Sequence, residues 1–119
     1  HVEDLGGISL EGVERLLIHT WVSDVPDDKW TTDFPFTSVS LLETLARQGV
    51  KLVGVDVSSV DDVNSATLPA HHALQRLGMV NLENLALAGV PDGDYELVAL
   101  PLKLEAACGS PVRAILRTL

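Results

Sequence analysis

The strongest constraint on the fold is residues 50–56, Val-Lys-Leu-Val-Gly-Val-Asp, in which apolar side chains follow one another almost without interruption. A strand with one face in water alternates apolar and polar residues, whereas a strand buried on both faces is apolar nearly throughout. We therefore predict a strand here that is covered on both faces. Helical patterns precede and follow it, and this alternation is typical of α/β or α+β proteins.

Two helices are predicted from the signals at their ends. The first has a hydroxyl cap, apolar residues at helical spacing and a terminal glycine: Thr37 or Ser38, then Leu41, Leu42, Leu45 and Ala46, then Gly49. The second is predicted over residues 69–77, because Pro69 suits the first turn of a helix and Gly78 suits its end. We expect helices on a face of the sheet.

The remaining strands are less continuous. Residues 15–21 are predicted as a buried strand, and residues 80–85 as a strand that enters a short turn. Residues 91–94, Pro-Asp-Gly-Asp, form a strong turn signal, and strands are predicted after it at residues 95–101 and 112–117. Residues 22–36 are predicted as a long surface loop. These elements together predict an α/β fold with a mixed sheet.

Length and composition narrow the class of protein. The 119 residues are enough for one domain at most, or for part of one, and 46% hydrophobic with 21% charged residues predicts a packed globular protein. A net charge of -9 argues against nucleic-acid binding, which needs clustered Lys and Arg. No apolar run reaches the roughly 18 residues of a membrane span, and no signal peptide is visible. Cys108 is the only cysteine, which excludes an internal disulfide and favours a reducing, cytoplasmic location.

The most informative candidates for chemistry are a histidine pair, His71 and His72, and a carboxylate, Glu83, in apolar surroundings. Imidazole and carboxylate groups are ordinary ligands of zinc and related metals. Neighbouring helical positions point about 100° apart, so at most one histidine readily shares a site with Glu83. The simpler interpretation is one exposed histidine, one hydrogen-bonded histidine and a solvent-facing Glu83. Two ligands do not complete a metal site.

Other candidates have equally plain interpretations. Asp56 ends the apolar strand, where α/β proteins place ligand-facing residues, but we favour a role as cap of the next turn. His19 lies in an apolar strand and is predicted to be a core histidine and not a ligand. The aromatic residues in and before the long loop form either a wall for a planar substrate or a small satellite core: Trp21, Trp30, Phe34 and Phe36.

Six blocks of sequence carry a resemblance that spans the whole chain: Arg-Leu-Leu-Ile-His-Thr-Trp at residues 15–21, Val-Gly-Val-Asp-Val-Ser-Ser-Val-Asp at 53–61, Leu-Pro-Ala-His-His-Ala-Leu at 68–74, Leu-Glu-Asn-Leu at 82–85, Gly-Asp-Tyr-Glu-Leu-Val-Ala-Leu-Pro-Leu-Lys at 93–103 and Gly-Ser-Pro-Val-Arg-Ala-Ile-Leu at 109–116. In order and spacing they resemble the C-terminal part of the cyclase family of metal-dependent hydrolases. Within that family, the chain is most similar to the bacterial kynurenine formamidases.

The resemblance implies a swivelling β/β/α domain, of which residues 1–119 are the C-terminal part. It implies a centre of one or two metal ions, usually zinc and in some relatives manganese, with His71 and Glu83 as ligands. It further implies a small aryl formamide as substrate. The short strands and the apolar composition favour a homo-oligomer.

The chain departs from the family pattern in one respect. The principal metal motif of the family, His-x-Gly-Thr-His-x-Asp-x-Pro-x-x-His, belongs to the N-terminal half and does not occur between His1 and Leu119. It supplies two histidine ligands, an aspartate ligand and a histidine with an acid/base role. Since His1 is not a natural initiator, we expect these residues upstream; a truncated, inactive relative is the alternative. The general base is therefore expected outside this chain, and hydrolysis of another aryl or cyclic amide, such as an isatin-like lactam, stays open.

Overall fold

The computed structural model describes residues 1–26 and 28–119, which divide into two compact units, His1–Ala88 and Gly89–Leu119. Asp27, within the predicted loop, lies outside the described residues. The elements of the first unit are a 3-10 helix Val2–Leu5, β1 Arg15–Ile18, a 3-10 helix Trp21–Asp24, α1 Val39–Arg47, β2 Leu52–Val55, α2 Pro69–Leu77 and β3 Val80–Leu82. The second unit contains β4 Tyr95–Pro101 and β5 Val112–Thr118. The predicted α/β class is confirmed.

The first unit is built on a three-stranded parallel sheet with β2 in the middle. Val53 and Val55 of β2 are buried in the core. Gly54 faces the opposite side of the strand. A Cβ atom added to it would lie 2.5 Å from a side-chain carbon of Leu17 and 2.7 Å from a side-chain carbon of Leu85. Both faces of β2 are therefore covered, which explains its nearly continuous apolar sequence.

Helix α1 begins and ends where its capping residues predict. Of the two candidate caps, Ser38 is the one used: its side chain accepts a hydrogen bond from the Leu41 amide at 3.2 Å. The buried side of the helix carries Leu41, Leu42 and Leu45. These leucines belong to the core of the unit, to which both β2 and α2 also contribute.

Helix α2 has the predicted bounds, Pro69 to Leu77, and Gly78 follows it with a φ of 66°. It packs against α1 through a buried side that contains Ala70, Ala73 and Leu74. Its beginning is unusual, because the preceding Leu68 has a φ of 45° and offers no side-chain cap. The free backbone amides of the first turn must therefore donate hydrogen bonds to acceptors from another segment.

The second unit is an antiparallel hairpin that pairs Tyr95 with Thr118 at one end and Pro101 with Val112 at the other. The Tyr95 hydroxyl donates to the carbonyl oxygen of Pro91 at 2.8 Å, across the predicted turn. The parallel and antiparallel strands form two separate sheets in the described residues, where the sequence predicted one mixed sheet. Alternation identifies strands but does not specify which edges pair.

Two predicted strands are shorter than expected. Strand β1 ends at Ile18, so His19 is exposed and the prediction of a core histidine is wrong. Trp21 begins a 3-10 helix that Thr20 caps, and its side chain is half-exposed. Strand β3 ends at Leu82, before the chain turns at Asn84 with a φ of 56°.

No helix within the described parts of the chain combines the length and the apolar character that a membrane crossing requires.

Candidate metal centre

The candidate site lies beyond the carboxyl ends of the parallel strands. Asp56 directly follows β2 and Glu83 directly follows β3. Carboxyl ends of parallel strands meet at one edge of a sheet, and α/β proteins bind ligands there. The early end of β3 places Glu83 past the sheet instead of on its polar face, so its side chain is only 26% exposed.

Asp61 supplies the missing cap of α2. One carboxylate oxygen accepts from the Ala70 amide at 2.7 Å, and the other accepts from the His71 amide at 3.1 Å. The Asp61 side chain is 3% exposed. An acidic group at a helix N-terminus satisfies free amides and interacts favourably with the helix dipole. A residue from the preceding loop thus performs the task that Leu68 cannot.

The same carboxylate holds the His71 ring. Oδ2 of Asp61 lies 2.8 Å from Nδ1 of His71. Burial on its own would raise the pKa of Asp61, but hydrogen bonds from the Ala70 amide, the His71 ring and the His71 amide together lower it below the ordinary value. Asp61 is therefore ionised at neutral pH and can only accept. It follows that Nδ1 of His71 is the donor.

His71 and Glu83 meet on the other side of the ring. Nε2 of His71 lies 3.4 Å from Oε1 of Glu83, and that oxygen also accepts from the Val60 amide at 2.9 Å. The Val60 contact holds the Glu83 side chain toward the histidine. With the proton on Nδ1, a neutral His71 directs the lone pair of Nε2 toward the carboxylate.

This arrangement has the donor chemistry and spacing of part of a zinc site. With Zn–N and Zn–O bonds of about 2.0–2.2 Å, two ligand atoms of a tetrahedral ion lie about 3.4 Å apart, which is the separation of His71 and Glu83. A carboxylate behind the ligating histidine is a common second partner in metal sites. In residues 1–26 and 28–119, however, no three His, Cys, Asp or Glu side chains are grouped so that they could hold an ion.

The structure brings together two of the three site residues considered from the sequence. His71 and Glu83 converge, whereas His72 is exposed on the next helical position. Sequence reasoning assigned no role to Asp61, which appeared only as the last residue of the block at 53–61. The signal that could have identified it is the lack of any capping residue before Pro69, because such a helix needs an acceptor from another segment.

Asp56 has a different role from the one predicted. Its carboxylate accepts from the Thr20 amide at 2.7 Å, the Thr20 hydroxyl at 2.9 Å and the Ser23 hydroxyl at 2.7 Å. It therefore fastens the segment that follows β1 and does not cap the turn after β2. The prediction of that cap is wrong because the donors that Asp56 binds belong to Thr20 and Ser23, in the segment that follows β1.

A cavity of about 240 Å³ lies in the same unit, with Asp56, Ser58 and Asn84 in its lining. Of the four aromatic residues considered from the sequence, Trp30 and Phe34 line this cavity. Trp30 is 72% exposed at its edge, and Phe34 is buried in the core. Phe34 thus belongs to the main core and not to a separate satellite core, and Trp30 contributes an exposed ring to the cavity lining.

Several curated proteins that share one name are similar to this chain. The chain is 46% identical over 121 residues to the kynurenine formamidase of Maricaulis maris and 49% identical over 118 residues to that of Bacillus cytotoxicus. These matches cover 100% and 99% of this chain but 57% and 56% of the relatives. The chain therefore spans about half the length of the curated relatives it matches. No protein-family profile matches it.

Solved structures agree with the sequence relatives. A potential metal-dependent hydrolase with cyclase activity superimposes with a TM-score of 0.84 at 28% identity, over 96% of this chain and 55% of the other. A predicted metal-dependent hydrolase from Bacillus stearothermophilus gives the same TM-score and identity over 97% of this chain. By sequence, the chain is similar to the C-terminal part of proteins named kynurenine formamidase, and by fold it is similar to part of solved proteins described as metal-dependent hydrolases.

Proposed function

We propose that this protein is a metal-dependent amidohydrolase that converts N-formyl-L-kynurenine into L-kynurenine and formate, a step of tryptophan degradation. The observation that carries the proposal is the 3.4 Å approach of His71 Nε2 to Glu83 Oε1. It occurs in a chain that is 42–49% identical to proteins named kynurenine formamidase. His71 and Glu83 are the two residues that we assign as metal ligands.

The remaining ligands and the general base are assigned to the part of the relatives that this chain does not match. Residues 1–119 are then the C-terminal part of one hydrolase domain. Two ligands bind a divalent ion weakly, and an open catalytic site usually takes three from protein. A complete site therefore requires the other part of the domain.

The metal that we propose is zinc, with manganese as the alternative, at one or two ions for each site. Nitrogen and oxygen ligands at this spacing suit zinc. When bound, the ion would polarise the formyl carbonyl and lower the pKa of a water molecule toward neutrality. The protein's own contribution is to fix the ligand atoms: Asp61 holds the His71 ring and the Val60 amide holds Glu83.

The overall reaction needs a nucleophile and a proton donor. Water adds to the formyl carbon, the bond between that carbon and the aryl nitrogen breaks, and the amine leaves with a proton while formate is released. The acid/base residue that moves these protons is assigned outside this chain. Within this chain, His71 and Glu83 would hold the metal ion, and the cavity would bind the aryl part of the substrate.

We assign the cavity to the aryl ring of the substrate. It combines aromatic and aliphatic walls with a few polar groups, which is the usual composition of a small-molecule site. Asn84 connects the cavity with the proposed metal site, because it lines the cavity and directly follows Glu83. Trp30 offers a ring that can stack against a planar substrate.

Replacing Trp30 by Ala is expected to raise the KM for N-formyl-L-kynurenine about fivefold, since an aromatic contact contributes about 1 kcal/mol. The kcat should change little, because Trp30 does not contact the ligand residues. Steady-state kinetics on the complete protein measures both constants. The matched control is Trp21→Ala, a half-exposed tryptophan outside the cavity lining. Equal KM values for the two variants would refute this use of the cavity.

The decisive test of the function is turnover of N-formyl-L-kynurenine by the complete protein, followed optically before and after chelation and after return of zinc. We expect activity that chelation removes and zinc restores. Turnover unaffected by full metal removal would refute the proposal. Metal binding without turnover would indicate another aryl or cyclic amide as substrate, and the absence of both would indicate a non-catalytic protein.

Two further features of the protein belong to the proposal. The free thiol of Cys108 is exposed, which suits the reducing conditions of the cytoplasm. The Gly89–Leu119 unit exposes Leu100, Ile115 and Leu119. Apolar side chains at the surface favour association, so we assign the protein to a homo-oligomer.

A further inference from the structure

We propose that Asp61 is a positioning residue, which determines that Nε2 and not Nδ1 of His71 is the nitrogen available to a metal ion. This inference rests on the proposed metal site but concerns a residue outside its ligand set. It gives Asp61 two linked tasks, as the cap of α2 and as the partner of the His71 ring.

The hydrogen bonds of Asp61 leave it no role as a ligand. Oδ1 accepts from the Ala70 amide, and Oδ2 accepts from both the amide and the ring of His71. The side chain is almost completely buried. Its oxygens are thus occupied by donors on α2, and the carboxylate cannot turn away without uncapping the helix.

The contact with the ring selects a tautomer. A neutral imidazole carries its proton on one nitrogen and a lone pair on the other, and only the lone pair binds a metal. Carboxylates lie beside both ring nitrogens, but Asp61 Oδ2 is 2.8 Å from Nδ1, within hydrogen-bond distance, whereas Glu83 Oε1 is 3.4 Å from Nε2, so the proton is held on Nδ1. The lone pair is then on Nε2, the nitrogen that lies beside Glu83.

The contact also fixes the direction of the ring. The two backbone amides bind Asp61 to the first turn of α2, and the ring that starts from this turn returns to the same carboxylate. Backbone and ring of His71 are therefore held by one group. This is why a histidine that is 37% exposed can still have a defined orientation.

The test replaces Asp61 by Asn, which keeps the size of the side chain but can no longer accept from all three donors. The amide nitrogen of Asn must then face one of these N–H donors, so the Nδ1–H form of His71 is no longer enforced. We expect the zinc affinity of the complete protein to fall 10- to 100-fold, the range found when such partners are removed. A competing chelator measures this affinity without substrate.

A second readout uses the metal-free protein. Nitrogen-15 NMR at a pH where imidazole is neutral identifies which ring nitrogen of His71 carries the proton, and His71→Gln identifies the signal. We expect the proton on Nδ1 in the wild-type protein and a loss of this preference in Asp61→Asn. A wild-type ring with its proton on Nε2 would overturn the proposal.

The control separates positioning from capping. Ser38→Ala removes the cap of α1 and should lower the melting temperature, yet it should leave the His71 tautomer and the zinc affinity unchanged. Equal zinc affinity in Asp61→Asn and wild-type protein would refute the inference alone. Zinc binding that depends on Asp61, without turnover of N-formyl-L-kynurenine, would refute only the proposed function. A wild-type protein that binds neither zinc nor manganese would refute both.

Discussion

Replacing His71 by Ala in the complete protein is expected to lower turnover of N-formyl-L-kynurenine more than about 100-fold, since loss of a ligand's partner alone costs 10- to 100-fold. Bound zinc should fall in the same variant. The physical reason is that Nε2 of His71 lies 3.4 Å from Oε1 of Glu83, and these are the two atoms that we propose as metal ligands. Zinc content by mass spectrometry and kcat/KM measured on the same preparation test this together.

The matched control is the neighbouring histidine. His72→Ala removes the same side chain from an exposed position of α2 that does not face Glu83, so zinc content and turnover should remain at wild-type levels. Full zinc occupancy with normal turnover in His71→Ala would remove His71 from the site. An equal loss in both variants would indicate damage to the helix instead of loss of a ligand.

The largest effect on stability is expected from Leu42→Ala. Leu42 is 0% exposed, on the side of α1 that packs into the core. Truncating such a leucine removes buried apolar surface and leaves a cavity, which lowers the free energy of unfolding by about 2–5 kcal/mol. Urea unfolding of the variant and of the wild-type protein, with a common m-value, measures the difference.

Ile8→Ala is the control for this loss, because Ile8 is 68% exposed. It should change the free energy of unfolding by less than about 0.5 kcal/mol. A Leu42→Ala variant as stable as Ile8→Ala would contradict the burial of this side of α1 in the core. A decrease confined to Leu42→Ala would support it.

The helices were predictable because their signals are local. Ser38 and Gly49 flank α1, and Pro69 and Gly78 mark the ends of α2 within one residue. Capping depends on the backbone conformation of a few consecutive residues, so the sequence contains the whole signal. The doubly covered strand β2 was predictable for a related reason, since burial on both faces leaves a continuous apolar run.

Strand ends were harder to predict, because tertiary contacts override the local pattern. Residues 15–21 and 80–85 are apolar enough to continue as strands. The hydrogen bonds of Asp56 to Thr20 and Ser23 instead hold the first segment in a 3-10 helix. A positive φ at Asn84 turns the second segment away. Asp56 is 36 residues from Thr20 and 33 from Ser23, so this contact is not visible in the local sequence, whereas the turn at Asn84 lies within the segment itself.

The candidate site was only partly predictable for the same reason. The residue types of His71 and Glu83 indicated a metal, but their spacing did not show that the side chains approach each other. The approach depends on Asp61 and on the Val60 amide, which come from the loop between β2 and α2. Resemblance to a family supplied the assignment that spacing alone left open.

The backbone beside both proposed ligand residues has a consequence for redesign of this protein. Leu68, with a φ of 45°, precedes the turn that carries His71, and Asn84, with a φ of 56°, follows Glu83. A left-handed conformation costs a leucine about 1–2 kcal/mol, so Leu68→Gly is the replacement that a thermostabilising design would choose first. Glycine would also loosen the entry into α2. Stabilising substitutions are therefore better placed away from these two left-handed positions.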